Sequence, residues 1–164
     1  MKKNLEIKMN KGNSQVSYKK YDTRNPISKF LVNQFKSSIS NLIDGYQLNS
    51  ILEIGCGRGE IINYLDSIID CKKFGVDIDE SIIQQASSLN HNIDFSVQDG
   101  RFLSYDDESF DLTLVLEVLE HVENYEELII EASRVSKGFC IFSVPREPLW
   151  RMLNICRGSY LKEL

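Results

Sequence analysis

The chain has 164 residues, of which 42% are hydrophobic and 26% are charged, and its formal net charge at pH 7 is -5. This composition supports one domain with a hydrophobic core and excludes the polar, highly charged class of disordered proteins. No run approaches the roughly 18 apolar residues of a membrane span, and residues 1–15 lack the apolar segment of a signal peptide. We therefore expect a cytoplasmic protein without a membrane span.

Residues 1–25 form the first segment, and they are basic. Nine lysines and arginines stand before residue 37, against only Glu6 and Asp22, whereas residues 37–145 hold six basic and twenty acidic residues. The acidic middle argues against nucleic-acid binding, since such binding depends on neutralising many phosphates. For the basic segment two interpretations stay open: a solvated tail, or a contribution to holding an anionic substrate.

Apolar periodicity switches repeatedly between the helical and the strand type from residue 26 onward. The predicted elements are, in chain order, helix 26–43, strand 50–54, helix 59–68, strand 73–77, helix 80–89, strand 92–97, strand 110–116, helix 125–135 and strand 138–144, which Pro145 halts. Strands that alternate with helices at this spacing require right-handed crossovers. We therefore predict an α/β fold with a doubly wound, mostly parallel sheet of five strands.

The first predicted strand is followed by a glycine-rich turn, at the edge of the sheet where ligands bind. The stretch "ILEIGCGRGE" places Gly55, Gly57 and Gly59 at alternate positions. A dinucleotide-binding turn needs a further glycine at the position of Glu60 to bring helix and strand together, so that class is disfavoured. The missing Cβ atoms at Gly55 and Gly57 allow a ligand to lie against the backbone.

Acidic residues accompany the first two strands. Glu53 is costly to bury unless it is hydrogen-bonded or lies near a cation. We expect it mostly to accept hydrogen bonds from the amides of the glycine turn, and also to supply negative potential beside a positively charged ligand. Asp77 ends the second strand, where an acid can accept hydrogen bonds from both hydroxyls of a ribose. Asp79 and Glu80 are expected to be the N-cap and a first-turn residue of the next helix.

The cysteines and histidines do not predict a metal site. The four cysteines form no C-x-x-C pair, and the two histidines add too few ligands at metal spacing. These residues are Cys56, Cys71, Cys140, Cys156, His91 and His121. We expect reduced thiols and no bound metal.

Four motifs follow one another along the chain: "EIGCGRG", "GVDID", "QDG" and "FDLTLVLEVLEHV". In order and spacing they resemble the class I S-adenosylmethionine-dependent methyltransferases, and especially the small-molecule branch that includes quinone-precursor methylases. The resemblance covers about residues 20–145. It implies S-adenosylmethionine as the cofactor and methyl transfer to a small-molecule acceptor by in-line displacement.

The resemblance also implies which residues contact the cofactor. Near the methionine moiety it places Glu53, Gly55, Cys56, Gly57 and Glu117. Near the nucleoside it places Asp77 at the ribose, Ile78 on the adenine and Asp99 at the adenine amino group, with Gly100 and Arg101 alongside. Tyr18, Tyr21 and Arg24 resemble the segment that folds over the cofactor in such enzymes.

His121 is the candidate catalytic residue, because histidine can act as a general base near neutral pH. Two interpretations stay open: a base for an acceptor that arrives protonated, or a residue that starts the helix after the fourth strand and only caps or packs there. Glu120 has the same ambiguity, with helix N-terminal placement favoured. The sequence Leu-Glu-Val-Leu at 116–119 differs from the Asn/Asp-Pro-Pro-Tyr/Phe signature of many enzymes that methylate amide or base nitrogens.

The C-terminal segment departs from the family pattern. Residues 146–164 predict one helix or the start of a cap over the substrate, and the family's sixth and seventh strands are missing. This suggests a shortened chain, or a homodimer or other partner that covers the exposed sheet edge. Two functional hypotheses follow: an enzyme that methylates a small molecule, and a non-catalytic module of the same fold that binds the cofactor or a partner.

Overall fold

The computed structural model describes residues 26–144, in which helices and strands alternate as the periodicity predicts. The elements are α1 (Pro26–Ile43), β1 (Ser50–Ile54), α2 (Glu60–Asp66), β2 (Lys72–Asp77), α3 (Glu80–Leu89), β3 (Asp94–Val97), β4 (Phe110–Leu116), a 3-10 helix (Leu119–His121), α4 (Tyr125–Val135) and β5 (Ser136–Ser143). The predictions for residues 1–25 and 145–164, including those for Tyr18, Tyr21, Arg24 and Pro145, fall outside the described residues. Between residues 26 and 144, no helix has both the length and the apolar character needed to cross a membrane.

The five strands found in residues 26–144 form one parallel sheet in the order β3-β2-β1-β4-β5. The predicted α/β, doubly wound fold is therefore confirmed. The chain runs outward from β1 to β3 and then returns to β4 on the other side of β1, so the strand order reverses between β1 and β4. Ile54 at the end of β1 pairs with Val76 of β2 and Val115 of β4, which brings the carboxyl ends of these strands to a common edge.

Helices cover both faces of the sheet, which explains why the central strands are almost continuously apolar. α1 and α2 pack on one face, against Ile51 of β1 and Leu112 of β4. α4 packs on the other face, against Leu52 and Val115. Because successive side chains of a strand alternate between the faces, Glu53 lies on the same face as Ile51 and points toward α2.

Several boundaries differ from the prediction by one or two residues, and two of them have clear local causes. α2 begins at Glu60 because Gly59, with a left-handed φ of 79°, ends the glycine turn as the N-cap. β5 begins at residue 136, directly after α4, and its register against β4 shifts near this start. Gly138 lies at the shift, where a Cβ atom would overlap the carbonyl oxygen of Asp111.

Candidate functional site

Hydrogen bonds join the loops that follow β1 and β2 at the carboxyl edge of the sheet. The N–H groups of Gly55 and Cys56 both donate to the carbonyl of Val76, at 2.8 and 3.0 Å. The N–H of Gly57 donates to Oδ2 of Asp77 at 3.0 Å. The glycine turn is therefore fixed to the end of β2, and two motifs that are separate in the sequence form one site.

Gly55 is so closely packed that a larger residue does not fit. Its φ is 71°, in the left-handed region that residues with a side chain rarely adopt. A Cβ atom there would overlap Cγ2 of Val118 and lie 3.2 Å from its Cγ1. Val118 follows β4, so this contact joins the glycine turn to the loop after β4.

Glu53 binds a different amide from the one that the sequence predicts. The residue is 4% exposed, and its Oε2 accepts the N–H of Ile62, in the first turn of α2, at 3.0 Å. The expectation that Glu53 mostly caps the glycine turn is wrong, because the alternation of side chains along β1 turns it toward α2. Among the described residues it is Asp77 that accepts the amide of the glycine turn.

Three acidic groups, Glu53, Glu60 and Asp77, lie close enough together beside the glycine turn to influence one another. Burial raises the pKa of Glu53 to about 8, the hydrogen bond from Ile62 opposes this rise, and the nearby carboxylates of Glu60 and Asp77 add to it. Burial also raises the pKa of Asp77, against the hydrogen bonds from Asp79 and Gly57. A positively charged ligand in this region would favour the ionised form of both carboxyl groups.

The raised pKa of Glu53 makes the stability of the unliganded chain depend on pH. Between pH 4.5 and about 8 the folded chain keeps a proton that the unfolded chain releases, so the free energy of unfolding falls as pH rises through this window. Glu53→Gln keeps an acceptor for Ile62 and does not titrate. We therefore expect the free energy of unfolding of Glu53→Gln, measured in urea, to rise relative to that of the wild type as pH increases from 5 to 9.

A second variant at residue 53 separates the hydrogen bond from the titration. Glu53→Leu also does not titrate, but it removes the acceptor and leaves the amide of Ile62 buried without a partner, which is expected to cost about 1–3 kcal/mol relative to Glu53→Gln at every pH. If the wild type and Glu53→Gln change in parallel from pH 5 to pH 9, the raised pKa of Glu53 is refuted.

Asp77 organises two backbone segments at once. Its Oδ2 accepts the N–H of Gly57, and its Oδ1 accepts the N–H of Asp79 at 3.0 Å. A carboxylate offers about four acceptor positions, so each oxygen retains capacity for one further donor. The N-cap prediction for Asp79 is confirmed, because Oδ1 of Asp79 accepts the N–H of Ser81 at 2.9 Å.

Asp99, after β3, forms a fork with Arg101. Nε of Arg101 lies 3.0 Å from Oδ1 and Nη2 lies 2.7 Å from Oδ2. These hydrogen bonds are the main reason why the pKa of Asp99 is lowered. A Cβ atom at Gly100 would lie 2.5 Å from Cγ2 of Ile54 and 2.6 Å from Cδ1 of Leu128, so the turn rests directly on the core.

Three apolar side chains stand exposed at this edge of the sheet. Ile78 is 39%, Val97 47% and Phe102 68% exposed. The sequence assigned a binding role to Ile78 but missed Val97 and Phe102. The sequence pattern that could have indicated them is an apolar residue on each side of the polar stretch 98–101. Exposure of a large apolar side chain to water is unfavourable, so such a residue in a loop indicates a surface that a ligand can cover.

The loop after β4 begins with a backbone feature that the sequence did not reveal. Glu117 has a φ of 56°, uncommon for a residue with a side chain, and its N–H donates to the carbonyl of Ser143 at 2.9 Å. His121 is the last residue of the 3-10 helix, so the interpretation that it starts the following helix is wrong. Its side chain is 46% exposed, with Nε2 3.9 Å from Oε1 of Glu120.

Comparison with known proteins agrees with this arrangement. A family model described as a methyltransferase domain matches residues 52–142, more than half of the chain. Norajmaline N-methyltransferase of Rauvolfia serpentina is 34% identical over 93 residues, which cover 53% of this chain and 32% of the relative. A ubiquinone biosynthesis O-methyltransferase of Rickettsia bellii is 27% identical over 147 residues, which cover 84% of this chain and 58% of the relative. The chain thus spans about a third to just over half the length of these curated relatives.

A solved structure supports the fold. A protein from Pyrococcus horikoshii OT3 superposes with a TM-score of 0.66 and 22% identity, over 82% of this chain and 65% of that chain. The parallel sheet, the glycine turn at its carboxyl edge and the family match over residues 52–142 all agree. The chain belongs to the class I S-adenosylmethionine-dependent methyltransferases.

Proposed function

We propose that this chain binds S-adenosylmethionine at the carboxyl edge of β1, β2 and β3 and transfers its methyl group to a small-molecule acceptor by in-line displacement. The observation that carries the proposal is the series of carboxylates at successive strands around a glycine turn. Glu53 supplies negative potential once a cationic ligand favours its ionised form. Asp77 supplies acceptors for hydroxyl groups, and Asp99 supplies an acceptor for an amino group.

The residues beside the glycine turn fit the methionine end of this cofactor. The buried Glu53 and the half-buried Asp77 both have a raised pKa, and each lies within the influence of other carboxylates. A sulfonium and an ammonium group nearby would stabilise their ionised forms. We assign Gly55, Cys56 and Gly57 to the methionine moiety, with Glu117 at the same end.

The residues after β2 and β3 fit the nucleoside. Both oxygens of Asp77 retain acceptor capacity for the two hydroxyls of a ribose. The exposed Ile78 offers an apolar surface for a purine ring. Asp99 remains an acceptor because Arg101 favours its ionised form.

In methyl transfer the chain mainly has to align the acceptor with the methyl group and the sulfur, and to exclude water. When bound, the cofactor supplies an activated methyl group. Arg24 and Tyr21 are proposed to belong to the segment that folds over it. The exposed His121 is proposed to accept the proton of an acceptor hydroxyl, with Glu120 beside it. An amine that arrives unprotonated does not need this base to attack the methyl group. The named relatives that act on norajmaline and in ubiquinone biosynthesis support a small-molecule acceptor.

Asp77 provides the first test of cofactor binding. We expect Asp77→Ala to weaken binding of S-adenosylhomocysteine by about 1–3 kcal/mol, the scale of a lost buried hydrogen bond, measured by titration calorimetry. Asp94→Ala is a matched control, since Asp94 is exposed at the start of β3, away from the carboxyl edge. An equal dissociation constant in the wild type and Asp77→Ala would refute the ribose assignment.

Turnover separates the enzyme from a non-catalytic module. The chain is incubated with S-adenosylmethionine and panels of phenols, catechols and amines, and formation of S-adenosylhomocysteine is measured. We expect one acceptor class to raise this rate, and His121→Ala to lower it if the acceptor is a hydroxyl. Cofactor binding without turnover on any panel would favour the module.

A further inference from the structure

Arg101 occupies most of the acceptor capacity of Asp99. Besides the fork from Nε to Oδ1 and from Nη2 to Oδ2, the backbone N–H of Arg101 donates to Oδ1 at 3.0 Å. A carboxylate offers about four acceptor positions. Among residues 26–144, two donors occupy both acceptor positions of Oδ1, and one donor occupies one of the two positions of Oδ2. The remaining position is therefore a single direction on Oδ2.

The backbone that carries Asp99 is fixed as well. Gly100 lies against Ile54 and Leu128 so closely that even a Cβ atom would not fit. The N–H of Phe102 donates to the carbonyl of Asp99 at 2.9 Å, which closes the turn. Neither the chain nor the carboxylate can reorient without breaking these contacts, so the free acceptor direction is set before a ligand arrives.

We propose that Arg101 is a positioning residue that turns Asp99 into an acceptor for one N–H donor and thereby selects a purine with a 6-amino group. This inference rests on the proposed function, because it takes the nucleoside of the cofactor as the ligand. An ionised carboxylate only accepts hydrogen bonds. A purine without the amino group leaves the last position of Oδ2 unpaired, and such a site rejects the ligand that lacks the donor.

Arg101 acts through Asp99 and not through a contact of its own with the base. Two of its side-chain donors point at the carboxylate, and its guanidinium carbon lies 5.7 Å from the ring centre of Phe102. The planar fork of arginine fixes both oxygens at once, which a lysine ammonium group cannot do. Charge alone is therefore not sufficient for the proposed role.

The test compares two probes by titration calorimetry: S-adenosylhomocysteine and the same molecule with unsubstituted purine in place of adenine. We expect the wild type to prefer the adenine form by roughly ten- to hundredfold, the value of a hydrogen bond to a charged group. Arg101→Leu is expected to reduce this preference to within about threefold. Arg101→Lys keeps the charge without the fork, so it is expected to lose the preference as well, and it serves if Arg101→Leu does not fold.

A matched control loosens the same loop without touching Asp99. Nη2 of Arg134 donates to the carbonyls of Leu103 and Tyr105, and its guanidinium pairs with Glu131. We expect Arg134→Gln to weaken binding of both probes by the same factor and to leave their ratio unchanged.

The possible results separate this inference from the proposed function. If the Arg101 variants keep the wild-type preference, or if the wild type binds S-adenosylhomocysteine without preferring it to the purine form, the role of Arg101 is overturned and cofactor binding stands. If the wild type binds neither probe, both the inference and the proposed function are overturned.

Discussion

Replacing Gly55 by alanine is expected to abolish measurable cofactor binding and to lower the free energy of unfolding by about 2–5 kcal/mol. Two costs combine at this position. The left-handed φ of 71° is unfavourable for any residue with a Cβ atom, and that atom would overlap the side chain of Val118. Relief of the overlap requires the glycine turn to move away from the loop after β4, which displaces the amides that Val76 and Asp77 hold.

Gly45 offers a matched control for the backbone cost alone. Its φ is also left-handed, at 80°, but nothing lies within 4 Å of the place where its Cβ atom would stand. Gly45→Ala is therefore expected to cost about 1–2 kcal/mol and to leave cofactor affinity unchanged. Adding Val118→Ala to Gly55→Ala should recover part of the lost stability. If Gly55→Ala and Gly45→Ala gave equal unfolding curves in urea, the contact with Val118 would have no effect on stability.

Lys73→Met is expected to give the second large effect, a loss of about 3 kcal/mol in the free energy of unfolding. Lys73 is 3% exposed in β2. Its Nζ donates to the carbonyls of Ile69 and Cys71 and pairs with Oδ1 of Asp66 at 3.1 Å. Methionine fills a similar volume but leaves these acceptors without their donor, so the segment between α2 and β2 is weakened.

Lys72 is the matched control, because it neighbours Lys73 in β2 and is exposed. Lys72→Met is expected to change stability by less than about 0.5 kcal/mol. Since Lys73 lies at the start of β2 and the glycine turn lies at its end, we also expect Lys73→Met to keep the wild-type affinity for S-adenosylhomocysteine. Thermal unfolding that is identical for Lys72→Met and Lys73→Met would contradict the buried ion pair.

The sequence was sufficient to predict the sheet and the edge where the site lies. Strands such as 110–116, where five of seven residues are apolar, have this composition because helices cover both faces. The pattern is visible in the sequence alone. The juxtaposition of the glycine turn and Asp77 follows from the same logic, since neighbouring parallel strands end at one edge. The hydrogen bond between Gly57 and Asp77 agrees with it.

The partners of individual polar groups were harder to predict. Glu53 accepts from Ile62 and not from the glycine turn because of the face of β1 on which it stands, and an apolar run does not reveal this face. The fork between Asp99 and Arg101 depends on the conformation of the loop between them. His121 ends a 3-10 helix for a similar reason: short helical turns have no marked periodicity.

The cofactor assignment is tested most directly by titrating the wild-type chain with S-adenosylhomocysteine and with NAD in the same calorimeter. Glu60 stands where a dinucleotide-binding turn needs glycine, and its Oε1 lies 3.0 Å from Nε of Arg58. We expect S-adenosylhomocysteine to bind with a micromolar dissociation constant and NAD to give no heat of binding. Binding of NAD without binding of S-adenosylhomocysteine would contradict the assignment.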